Sequence, residues 1–190
     1  IGGLTFTYLD PDNPDFDRGN CESDRRQTLN VTGVVETPAF ARPALRAIAS
    51  GWRVAGIYRY TSGSYMTILS GQDRALSGVG NQRAEQVLGD VYLDRDGLNF
   101  LNPGAFTLPA LGTLGNVRRN SVRAPGFWSV DLALSRLVSS GGTRSLELRV
   151  ETFNLLNTFN WGAPISGGRT DTNFNSGAFG RITAMAGAPR

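Results

Sequence analysis

The chain has 190 residues, 24 of them glycine and none histidine, with 19 basic against 16 acidic side chains and a formal charge of +3. The missing imidazole excludes His-based acid–base catalysis, His metal ligation and His pH switching, and the lone Cys21 gives neither a disulfide frame nor a metal cluster. No window approaches the roughly 20 apolar residues of a spanning helix, which excludes a helical membrane protein, and the scattered Arg residues lack the interleaved aromatics of a nucleic-acid surface.

Apolar and polar residues alternate at period 2 along most of the chain, which predicts six strands and little helix. The amino end, without Met or a basic-then-apolar leader, reads as the interior of a longer chain. Leu4, Phe6 and Tyr8 alternate with Thr5 and Thr7 in a first strand. Residues 10–24, with Asp10, Asp12, Asp15 and Asp17, read as a solvated loop. A second strand over 26–36 sets Leu29, Val31, Gly33 and Val35 on one face and Thr28, Asn30 and Thr32 on the other; Val34 alone breaks the polar set. Pro43 just inside the start and Gly51 just past the end predict two turns of helix over 43–51. The third strand, 52–61, sets Trp52, Val54, Gly56, Tyr58 and Tyr60 against Arg53, Ala55, Ile57, Arg59 and Thr61, and the extended run resumes at Tyr65, Thr67 and Leu69. Residues 70–126 show no sustained period and read as one long loop. In the fourth strand Trp128, Val130, Leu132 and Leu134 oppose Ser129, Asp131, Ala133 and Ser135. After a Ser-Ser-Gly-Gly turn at 139–142, the fifth sets Leu146, Leu148 and Val150 against Glu147, Arg149 and Glu151. Residues 160–178 read as loop and 179–183 as the opening of a sixth strand.

Strands with one apolar and one charged wall fit two environments. One is a soluble sheet with its charged side in water, such as a β-sandwich that binds carbohydrate through its aromatics. The other is a barrel with lipid outside and a wet lumen. Trp52 and Tyr60 share a face and, at about 3.3 Å per residue and a tilt near 40°, stand roughly 20 Å apart along the membrane normal, close to the about 25 Å apolar band edged by aromatic girdles in a barrel. Connections also alternate between short and long, as on the two sides of an outer-membrane barrel. In that reading Arg53, Arg59, Asp131, Glu147, Arg149 and Glu151 face the lumen, as polar filler paired across strands. Trp52, Val54, Tyr58, Tyr60, Leu132, Leu134, Leu146, Leu148 and Val150 face lipid. Keeping Leu132 and Leu134 on the face of Leu146 and Leu148 requires a connecting loop of odd length. A three-residue loop would set Asp131 opposite Arg149 and avoid opposing Asp131 to Glu151.

No nucleophile with a base and no phosphate loop is legible. Asp94, Asp96 and Gly97 echo a calcium loop but lack its third acidic position and distal Glu, and Gly78, Gly80 and Gly89 have no strand and helix to frame a dinucleotide site. The sequence therefore implies no enzyme, no cofactor and no metal. Ligand capture would sit on the 70–126 loop.

Several segments carry a family likeness: Asp24-Arg25-Arg26, Gly51-Trp52-Arg53-Val54-Ala55-Gly56-Ile57, Asn102-Pro103-Gly104-Ala105-Phe106, Gly115-Asn116 with Arg119-Asn120, Ala124-Pro125-Gly126, Phe179-Gly180-Arg181-Ile182, and above all the FNLLNTFNWGAP run over 153–164. In these the chain resembles the carboxy-terminal β-barrel portion of TonB-dependent outer-membrane receptors of the Oar-like type, which bear a carboxypeptidase-regulatory-like domain. The resemblance implies an all-β fold: an antiparallel, up-and-down transmembrane β-barrel segment of about six strands, incomplete, with long loops on one side. It implies residues 1–190 as the barrel's carboxy-terminal part, without plug domain or TonB box, and residues 70–126 as a long extracellular loop at the cell surface. Implied partners are outer-membrane lipid, the rest of the barrel and plug of a longer chain, and TonB, but no nucleic acid. The chain stops at Pro189-Arg190, where the family's last strand would begin. Six strands cannot close a barrel, for which about eight is the minimum. The open edges leave a rival expectation, a structural or filament-forming surface module that self-associates edge to edge.

Overall fold

Four strands form an antiparallel meander: β1 (Thr28–Glu36), β2 (Trp52–Thr61), β3 (Phe127–Ser139) and β4 (Ser145–Thr152), in the spatial order β1-β2-β3-β4. The computed structural model describes residues 8–80, 82–139, 145–164 and 172–187. These divide into a sheet unit, within 27–61 and 127–159, and a second unit within 1–26, 62–126 and 160–187. The predicted strand over 4–8 and the turn over 139–142 fall largely outside the described residues.

Each strand alternates as its sequence dictates, because successive side chains leave a pleated backbone on opposite faces. The ladder lines up Leu29 with Tyr60, Val31 with Tyr58 and Val35 with Val54, then Tyr60 with Trp128, Tyr58 with Val130 and Val54 with Leu134. The last pair of strands continues this with Leu134 opposite Val150 and Val138 opposite Leu146. One face is thus apolar over four strands, apart from Arg136 opposite Trp52 and Leu148 and Thr152 opposite Leu132. A soluble sandwich would bury that face under a second sheet, yet Leu146, Leu148 and Val150 are 59%, 58% and 65% exposed. Together with strands of eight to thirteen residues, near the roughly 9–11 that a tilted strand needs to span a bilayer, this is the wall of an incomplete, all-β barrel.

The β1–β2 connection holds the predicted helix, α1 (Pro43–Ala49). Gly51 follows it at φ +78°, and a Cβ there would stand 2.7 Å from the Leu137 carbonyl oxygen. Thr37 closes the connection, its N–H donating to the Trp52 carbonyl at 2.9 Å and its hydroxyl accepting the Trp52 N–H at 3.0 Å.

The β3–β4 register corrects one expectation. Ser135, not Asp131, stands opposite Arg149, and β4 ends with Thr152 opposite Leu132, so no residue of β4 faces Asp131. The parity held: Ser139 pairs with Ser145, leaving the odd span 140–144 between them. The two charges are satisfied elsewhere, Arg149 by Glu151 two residues along its own strand and Asp131 by Arg59 of β2, so their attraction does not set the hairpin.

The second unit has a real core despite its irregular backbone. Met66, Ile68, Phe100, Leu101, Phe106, Val117, Val122, Phe179 and Ile182 are buried together, so residues 70–126, irregular as expected, are packed. The predicted extension over 65–69 splits in two: Tyr65–Met66 pairs antiparallel with Val122–Arg123, and Ile68–Leu69 pairs parallel with Thr172–Asn173. The predicted sixth strand over 179–183 is likewise replaced, by a single bridge between Asn99 and Arg181, with Phe179 and Ile182 turned into the core. Burial of those two apolar side chains in a three-dimensional cluster, not along a ladder, explains the difference.

Candidate functional site

The polar face of the sheet carries the charged residues that the alternation placed there. Across one row Glu36, Arg53, Ser135 and Arg149 stand side by side; Arg53 Nε donates to Glu36 Oε1 at 2.9 Å. Glu147 stands opposite Leu137, and Glu151 opposite Ala133. All six residues predicted to share this face do so, and the nine predicted on the apolar face share the other. Val34, Ile57, Phe127 and Leu137 are the large apolar exceptions on the polar side; Val34, Ile57 and Leu137 are exposed at 52%, 41% and 56%, and Phe127 is half-buried.

Asp131 is the node of this face. Its register partner on β2 is Ile57, and Arg59, one step diagonal, reaches its Oδ2. Its other oxygen, Oδ1, accepts the Asn154 backbone N–H at 2.8 Å. The carboxylate side chain is 12% exposed and the guanidinium 49%, so the pair is an anchored anion with a half-solvated cation. Asn154 opens the loop that the sequence marked as most specific. It sits at φ +49°, and its amide holds Thr158 from both sides, donating to the Thr158 carbonyl and accepting the Thr158 N–H, each at 2.9 Å. The Leu155 N–H donates to the Val130 carbonyl at 2.7 Å. This clamp fixes a loop that exposes Phe153, Leu156 and Phe159 at 65%, 59% and 52%. Asn154 was not singled out from the sequence; the signal was the repeated Asn at 154 and 157, both left-handed here, a conformation Asn tolerates better than other side chains.

The second unit holds a different charged site. A groove of about 360 Å³ is lined by Asn13, Asp15, Phe16, Arg18, Arg83 and Arg118 among others. Arg83 is buried, 3% exposed; its guanidinium donates to Asp17 Oδ1 at 2.8 Å and to the Phe16 carbonyl at 2.7 Å, beneath the Phe16 ring at 4.0 Å. Burial lowers the Arg83 pKa, the Asp17 carboxylate opposes that, and Arg119 adds to the lowering. Asp17 also accepts the Leu9 N–H at 2.8 Å. It is therefore an internal counter-charge, correcting the expectation that the whole acidic run is solvated, whereas Asp12 and Asp15 are exposed.

Asp73 organises a third point. Desolvation would raise its pKa, but the N–H groups of Gly78 and Ser77 and the Gln82 amide donate to the carboxylate and bring it below its ordinary value. Asp94 accepts the Asp96 N–H at 3.0 Å in a simple turn. Among the described residues no group of three His, Cys, Asp or Glu is placed to hold a metal ion.

Comparison with known families places the whole chain. The family model described as outer membrane beta barrel domain matches residues 2–190. No curated protein matches the chain, and no solved structure does.

Proposed function

The chain belongs to the outer membrane β-barrel domain family, and from that premise we propose that it is wall and surface-loop structure of a TonB-dependent receptor of the Oar-like type, taking part in energy-coupled uptake or ligand recognition. It lies in the outer membrane, and its role is that of a barrel. The observation that carries the proposal is the division of one sheet into an exposed apolar face, for lipid, and a face of paired charges around Asp131, for a wet lumen. The remainder of the barrel and a plug would come from further chain, and TonB would supply the coupling. The reading contains no catalytic step and no cofactor.

Support for the receptor type comes from the FNLLNTFNWGAP run. Its rigid loop, clamped by Asn154 and tied to Asp131, gives that sequence a structural reason. The test is comparative depletion of medium components by cells that make the protein, cells that lack it, and cells that lack TonB. Depletion of the same compound lost in both deficient strains supports the reading. Unchanged depletion in cells lacking only this protein removes it.

One observation favours a second reading, a self-associating surface module: in the described sheet β1 and β4 are edge strands, each with a ladder on one side only. Open edges recruit further strands. Strand-to-strand crosslinks between copies, through β1 and β4, would select this reading over a single closed barrel.

A further inference from the structure

The last turn of α1 is tied to the apolar face of the sheet by two side chains that belong to that face. Carbonyls at a helix carboxy end have no partner within the helix and need donors from outside. Trp52, the first residue of β2, donates its indole Nε1–H to the Ile48 carbonyl at 2.8 Å. Arg136 of β3, its register partner, donates to the Ala47 carbonyl, and its guanidinium lies over the Trp52 ring at 5.2 Å. Both donors leave the sheet on the side of Val54, Leu134 and Leu148. An arginine on a lipid-facing surface is costly in the apolar band but stable at its edge, where an amphipathic side chain keeps its head among polar groups. Trp52 is the kind of ring that marks such an edge. At the other end of the same face Tyr60 stands opposite Trp128, and the Tyr58 and Trp128 rings are 6.4 Å apart. Trp52 with Arg136 therefore mark one boundary of the apolar band, and α1 lies at that boundary.

The helix leaves large apolar side chains without a partner there. Leu45 and Ile48, three residues apart and so on one side of the helix, are 45% and 71% exposed, and every residue of α1 before Ala49 is exposed. Arg42 and Arg46 flank them, Arg46 Nε donating to the Phe40 carbonyl at 2.9 Å. We propose that α1 is an interfacial membrane anchor, with Leu45 and Ile48 inserted among the lipid chains of the leaflet on the short-connection side and Arg42 at the phosphates of its headgroups. The occupant is lipid, not protein, because the surface is continuous with the lipid-facing sheet through Trp52 and Arg136, and its charge is basic where the headgroups are acidic. Short connections lie on the periplasmic side of outer-membrane barrels, which assigns the leaflet. The proposal rests on the barrel reading, and its test separates the two.

A photo-crosslinking residue, p-benzoylphenylalanine, is introduced singly at Leu45, Ile48, Leu148 and Asp12 of the protein in its own outer membrane, and adducts are weighed after irradiation. Phospholipid adducts at 45, 48 and 148, at least about ten times those at the loop position 12, are expected. Lipid adducts at 148 with none at 45 and 48 overturn the anchor and leave the barrel standing. A protein adduct at 45 or 48 overturns the anchor by assigning the surface to a partner chain. Absence of lipid at 148 as well removes the barrel reading with it. Trp52→Ala and Arg136→Met, which free the last turn of α1, lower the lipid adducts at 48 and leave those at 148 unchanged; equal yields in those variants and the parent overturn the tethering.

Discussion

The Asp131 carboxylate accepts the backbone N–H of Asn154 at 2.8 Å while holding Arg59 on its other oxygen, so one buried side chain joins β2, β3 and the loop beyond β4. Asp131→Ala leaves that half-buried N–H without its acceptor and lowers unfolding stability by about 1.5–3 kcal/mol, the range for a hydrogen bond to a charged group. The Arg59 contribution is small, since its guanidinium is half exposed and screened. Asp131→Asn keeps an acceptor oxygen for Asn154 and loses less than the alanine variant. Urea unfolding in lipid vesicles measures both, and equal losses would show that the ion pair, not the loop contact, dominates.

The two faces of the sheet respond oppositely to one added charge. Leu132→Arg places a guanidinium on the apolar face in the row of Gly56, midway between Trp52 and Tyr60, and costs about 2–4 kcal/mol, as at a bilayer midplane. Ile57→Arg places the same group on the polar face beside Asp131 and shifts stability by no more than about 0.5 kcal/mol, as for solvated positions. Parallel urea titrations in vesicles decide the matter. Similar penalties for the two variants would mean that both faces meet the same medium.

The four strands of the sheet and α1 were legible because their causes are local. Period 2 with opposite chemistry on its two phases fixes the faces of β2 and β4, and the order of Pro43 and Gly51 fixes the helix. The hairpin parity was legible too, but not its step, because cross-strand charge pairing does not set it: Arg149 pairs with Glu151 along its own strand. Of the second unit, the irregular backbone over 70–126 and the extended residues at 65–66 and 68–69 were legible, but their pairings and the core were not. Its ladder between Ile68–Leu69 and Thr172–Asn173 joins segments about a hundred residues apart over two residues each, too short to leave a periodic trace. The Asp17–Arg83 pair, with its side chains 13% and 3% exposed, depends on the same long-range packing; an Asp amid a Pro- and Asp-rich run carries no mark of burial.

Acid acts on the 73–78 turn through Asp73. Its folded pKa lies below the ordinary value of 3.8, so the unfolded chain binds the proton first. The carboxylate's contribution to the turn is complete above that ordinary value and is lost as pH falls through the lower folded value. The amide resonances of Ser77 and Gly78 should therefore titrate together with a midpoint under 3.8, and Asp73→Asn should abolish the transition. A midpoint above the ordinary value would mean that desolvation, not the surrounding donors, controls the group.

Asn154 combines a backbone and a side-chain role that substitutions can separate. At φ +49° an alanine is strained where a glycine is not, by about 1–2 kcal/mol. The amide's two bonds to Thr158 contribute about 0.5–1.5 kcal/mol each. Asn154→Asp keeps the acceptor for the Thr158 N–H and loses only the donor. Stability should then fall in the order Asp, Gly, Ala, with the Gly-to-Ala step reporting the backbone and the Asp-to-Gly step the clamp. Amide exchange at Thr158 follows the clamp alone: slow in the parent, faster in Asn154→Asp, and equally fast in the glycine and alanine variants. If exchange at Thr158 is the same in all four proteins, the loop is held by Leu155 and Val130 and the Asn154 amide is incidental.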